Sequence, residues 1–186
     1  MSSPEDRVAI AKDVIKALDT KRLVASSGAY LEFVGINAFF EENMESDARD
    51  ALKDRQCEVC AKGALLVAAI DRFDECKLSD IYSQEEHASA GVVIDGPSSS
   101  SKKFLSRFFD EDQLALMEIA FEGSCYVSHD TTALHKWYCS GSGYEGSPVQ
   151  HAEDFYHGFD CIESLLRGIM QNVIDNGGEF VPPPSQ

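Results

Sequence analysis

The chain has 186 residues, of which 44% are hydrophobic and 26% charged. These are ordinary globular values, and a chain of this length buries a single large core without disulfides. Its 32 acidic residues against 16 basic ones give a net charge of -16, which argues against direct binding of nucleic acid or an anionic membrane and favours a basic partner.

In chain order, Ser3 and Pro4 open a first helix that is expected to run to Lys21. Ser3 is its cap, Glu5 and Asp6 suit its positive end, and Val8, Ala11, Ile15 and Leu18 form its buried stripe. "LVASSGAYLEFVG" groups β-branched and aromatic residues around Gly28 and predicts a bent strand or hairpin. "EENMESDARDALKDRQ" is polar and acidic, and predicts a loop leading into a short exposed helix. From Cys57 to Phe73 nearly every residue is apolar, which predicts a central buried helix. Its two charges, Glu58 and Lys62, lie four apart and pair on one face. Gly63 then marks a close approach by a neighbour. "DGPSSSSKK" at 95–103 reads as a mobile loop.

"FFDEDQLALMEIAFEG" carries full helix punctuation. Asp110 caps, Gln113 reaches back to it, and Gly123 closes, with Leu114, Met117 and Phe121 as the stripe. The last helix is expected from about Asp160 to Asp175, with a 3.6-residue period through Ile162, Leu165, Leu166, Ile169, Met170 and Val173. "EFVPPP" then leaves as an extended tail over 179–186. The fold class is α+β: a mostly helical single domain, 1–186, with a small β component around a central buried helix.

No apolar run approaches the ~20 residues that cross a bilayer. "MSSPEDRVAIAKD" places charges where a signal peptide has its apolar stretch, so a cytoplasmic protein without an export signal is expected. The six cysteines then read as reduced thiols. "CYVSHDTTALHKWYC" sets Cys125, His129, His135 and Cys139 in two mixed pairs. Four such donors suit tetrahedral zinc, but the spacing also suits buried cysteines beside satisfied histidines in a packed segment. Cys57 and Cys60 form a C-x-x-C motif, which is redox-active where it opens a helix and is otherwise helix packing. Asp154, His157, Asp160 and Glu163 cluster near one helix start and offer acid–base groups. "GSGYEG" at 141–146 lacks the lysine and helix of a phosphate loop and reads as a turn.

The blocks "SGAYLEF", "CEVCAKGALLVAAI", "FFDEDQLALMEIAFEG" and "LLRGIMQNVIDNGGEFVP", in that order, resemble a group of small uncharacterised proteins of bacterial and bacteriophage genomes. The resemblance implies a phage or mobile-element setting and carries no activity. Three functions are open. The first is a non-enzymatic acidic binding or inhibitor protein that occupies a basic site on a host protein, for instance in counter-defence. Its candidate carboxylates are Glu41, Glu42, Glu45, Asp47, Asp50, Glu85, Glu86, Asp110, Glu111 and Asp112. The second is a small metal- or thiol-dependent enzyme built on the Cys/His residues of 125–139, with zinc as its cofactor. The third is a binder of a small signalling molecule, with Lys102, Lys103 and Arg107 meeting its phosphates.

Overall fold

The computed structural model describes residues 3–27, 30–33, 47–73, 77, 79, 93–94, 103–123 and 146–184. Helix α1 (Pro4–Asp19) starts at a complete capping box. The Ser3 hydroxyl accepts the Asp6 N–H at 3.2 Å, and the Asp6 carboxylate accepts the Ser3 N–H at 3.0 Å. The helix buries Ile10, Ala11, Val14 and Leu18, while Val8 and Ile15 of the expected stripe are only half-buried. The buried arc is turned because both α3 (Ala61–Phe73) and α6 (Ile162–Asp175) pack on α1.

Four short strands follow the order β1-β3-β2-β4 in one sheet. They are β1 (Leu23–Ala25), β2 (Leu31–Phe33), β3 (Cys57–Val59) and β4 (Val93–Ile94). The sequence suggested a bent strand or hairpin around Gly28. Instead β3 inserts between β1 and β2, parallel to the first and antiparallel to the second.

The expected helix from Cys57 to Phe73 is two elements. Cys57–Val59 is a strand, Cys60 is the junction, and α3 begins at Ala61. C-E-V alternates buried, half-buried, buried, and both its edges are hydrogen-bonded to other strands. Glu58 therefore does not pair with Lys62. Lys62 instead forms a part-buried ion pair with Glu118 of α4 (Glu111–Glu122). Helix α3 is the central buried helix: nine of its residues, from Ala61 to Ile70, are buried. Gly63 is where it meets β2, because a Cβ there would lie 1.7 Å from the Tyr30 carbonyl oxygen.

Helix α2 (Ala48–Leu52) is capped by Asp47 and buries Ala48, Ala51 and Leu52. Helix α4 is capped by Asp110 and closed by Gly123 at φ +67°. Helix α5 (Pro148–Tyr156) packs on α4, and α6 opens at Cys161, whose sulfur accepts the Ser164 N–H. The buried side chains form one cluster that includes Phe109, Phe121 and Phe180. The fold is thus α+β and mostly helical, with a small sheet. No helix among the described residues is long and apolar enough to cross a membrane.

Candidate functional site

The fold divides the carboxylates into two populations. One is paired. Asp13 meets Arg72, Asp71 meets Arg22, Glu118 meets Lys62, Glu179 meets Arg7, and Asp19 and Glu163 share Arg167, with Lys21 also on Glu163. Many of the available cations are consumed in these pairs. Arg167 bonds Asp19 at 2.7 Å and Glu163 at 3.0 Å, which ties α1 to α6. The Lys21 and Arg167 donors hold the Glu163 carboxyl below its ordinary range.

The other population has no cation among the described residues. At the first turn of α4, Glu111 and Asp112 are exposed and form no ion pair among the described residues, while Asp110 spends one oxygen on the Gln113 N–H at 2.7 Å. At α2, Asp47 caps through the Arg49 N–H at 3.0 Å and Asp50 is exposed. These five candidates lie on two separate elements. Glu41, Glu42, Glu45, Glu85 and Glu86 lie outside the described residues.

The sequence reading missed a third acidic feature. Glu32 of β2 stands directly opposite Glu58 of β3 in the antiparallel register, and both are half-buried. Like charges at such positions cost about 0.5 kcal/mol. Both segments, L-E-F and C-E-V, read apolar, charged, apolar in the sequence, but which strands pair was not legible there.

The C-x-x-C thiols do not form a redox site. Cys57 is fully buried and Cys60 is 7% exposed, and burial pushes both thiols up to about 12. Cys60 donates to the Tyr30 carbonyl at 3.7 Å. The two cysteines do not share a helical face either, because Cys57 belongs to β3. Cys125, His129, His135 and Cys139 lie outside the described residues. Among the described residues no three His, Cys, Asp or Glu side chains are gathered to hold a metal. The proposed acid–base cluster is dispersed in role: His157 ends α5, Glu163 is held by Lys21 and Arg167, and Asp160 precedes α6. Lys102 also lies outside the described residues, whereas Lys103 is exposed and Arg107 lies over the rings of Phe104 and Phe108.

An open cleft of about 410 Å³ between α1 and α3 is lined by Asp13, Lys16, Thr20, Arg22, Asp71 and Arg72. Its two arginines are bonded to its two aspartates, and Lys16 leaves the cleft one positive charge in surplus. No protein-family model, curated protein or solved structure matches the chain.

Proposed function

We propose that the protein is a non-enzymatic acidic binding protein whose free carboxylates occupy a basic site on a partner protein. The observation that carries this reading is the carboxylate surplus left outside ion pairs, above all Glu32 facing Glu58 at a cost to the sheet. A fold that spends many of its cations on internal pairs presents a predominantly acidic surface. Such a surface speeds encounter with a basic groove and then covers it. In a phage or mobile-element setting, a groove that holds nucleic acid in a host defence protein has the complementary charge.

The test uses immobilised wild-type protein, a Glu111→Lys/Asp112→Lys variant and a Glu32→Lys/Glu58→Lys variant, each exposed to a bacterial lysate at low and high salt. A basic protein that is held by the wild type, released by salt and lost from a charge-reversed variant supports the reading. A partner kept by both variants at high salt overturns it.

A further inference from the structure

The cleft between α1 and α3 sets three cations, Lys16, Arg22 and Arg72, against two carboxylates, Asp13 and Asp71. A positive surplus runs against the net charge of -16. The two arginines are used differently. Arg72 turns its fork to Asp13: its Nε and Nη2 both reach Oδ2, at 2.8 and 2.7 Å. Arg22 meets Asp71 through Nη1, at 2.5 Å. Its Nε and Nη2 are buried and have no hydrogen-bond partner among the described residues. Lys16 is exposed and forms no ion pair among the described residues.

The Nε and Nη2 hydrogens lie side by side on one edge of a guanidinium. That edge takes two oxygens of a carboxylate or phosphate in parallel bonds. Burying such donors without an acceptor is costly, and an arriving oxyanion removes the cost. Asp71 leaves it in place, because it holds the other nitrogen. Both donors are covered by protein, so the Arg22 side chain turns about its bond to Asp71 to bring them into the cleft. Lys16 is the second cation there. The end of α1 offers little opposition to an anion. Its Lys16, Ala17 and Leu18 carbonyls already accept bonds from Thr20, Arg22 and Lys21, which mutes the negative end of the helix.

Size and lining select the ligand. About 410 Å³ is within the range of small-molecule sites and exceeds what one oxyanion fills. The lining holds no aromatic ring on which a base could stack, and Ala17 is its one apolar residue. Asp13 and Asp71 each bond their arginine through Oδ2, which leaves Oδ1 to accept hydroxyl groups. We infer that the cleft binds a small phosphorylated polyol of the sugar phosphate kind. Its phosphate lies on Lys16 and the open edge of Arg22, and its hydroxyls donate to Asp13 and Asp71. The inference stands apart from the acidic surface, because it involves no partner protein and none of the free carboxylates.

The test is a titration of the nitrogen-15-labelled full chain with glucose 6-phosphate at constant ionic strength. It is read at the Arg22 Nε–H resonance, assigned by its absence from Arg22→Lys. A saturable shift is expected. Inorganic phosphate should move the same resonance with at least about tenfold weaker affinity, and glucose should leave it in place. Arg22→Lys keeps a cation for Asp71 but removes the paired donors, and should weaken binding at least about tenfold by calorimetry. Lys16→Glu changes an exposed side chain, so it tests the site without threatening the fold, and should weaken binding by a similar factor. No shift in the wild type overturns the inference, as does wild-type affinity in Lys16→Glu. Equal binding of glucose also overturns it. Inorganic phosphate bound as tightly as the ester overturns the assignment to a phosphorylated polyol.

Discussion

Cys60 and Cys161 hold the same position in two helices. Cys60 accepts the Ala64 N–H on its carbonyl at 2.9 Å, and Cys161 accepts that of Leu165 at 3.0 Å. Each sulfur also faces N–H groups of its first turn. Yet burial pushes the Cys60 thiol up to about 12, against the pull of the Gly63 and Lys62 N–H groups. Cys161 is exposed and is lowered by the Ser164 hydroxyl and the Ser164 N–H. A helix N-terminus therefore does not by itself activate a thiol; access to solvent decides the sign. The same rule separates the paired and free carboxylates, since chemistry is available only where packing has not already used it.

The largest effect expected from this contrast is in thiol reactivity. At pH 8 a thiol at about 12 is ionised roughly one part in ten thousand, against one in ten for an ordinary thiol near 9. Iodoacetamide followed by peptide mapping should modify Cys161 at least about a thousand times faster than Cys57 or Cys60. Comparable rates would show that the β3–α3 junction opens readily. Gly63→Ala attacks the same junction through packing. Its Cβ would lie 1.7 Å from a backbone oxygen, and neither backbone can yield without moving β2 from β3. A loss of about 3 kcal/mol or more is expected in urea denaturation.

Lys62→Met asks how much of the junction rests on charge. Its side chain is 12% exposed and that of Glu118 is 21% exposed, so removing the cation strands a part-buried carboxylate at about 2 kcal/mol. Lys62→Met/Glu118→Leu should recover most of that loss. Tyr30→Phe should go the other way. The Tyr30 hydroxyl is buried and has no hydrogen-bond partner among the described residues, so deleting it is expected to stabilise the fold by about 1 kcal/mol in the same assay. Destabilisation would point to an ordered water on that hydroxyl.

The sequence shows the caps and periods of the outer helices because they depend on near neighbours. Ser3 with Asp6, Asp110 with Gly123, and the apolar period of α6 are all local. The β3–α3 boundary was hidden, since a short apolar run fits a strand and a buried helix equally well. Only the paired edges of β1 and β2 decide it. The grip of Gln113 on Phe180 joins residues 67 apart, and a local rule assigned that amide to its own helix start instead. Of the acidic candidates, the sequence marked where charge is dense. It marked Asp110 as a cap, but it did not show that Asp47 caps α2 or that Glu58 faces Glu32.

Ser164→Ala is the smallest change expected and the finest test of the comparison between the two thiols. The Ser164 hydroxyl donates to the Cys161 carbonyl at 2.7 Å and also lies 3.4 Å from the sulfur. A thiolate competes with the carbonyl for that proton, while the Ser164 N–H, at 3.4 Å from the sulfur, survives the substitution. The alkylation rate of Cys161 should therefore fall, by less than about tenfold at pH 7, with its pH profile displaced upward. The sign follows from the loss of a donor that favours the charged form. An unchanged profile would mean that the hydroxyl stays on the carbonyl and that the backbone N–H alone lowers the thiol. Exposure would then be the whole difference between Cys161 and Cys60.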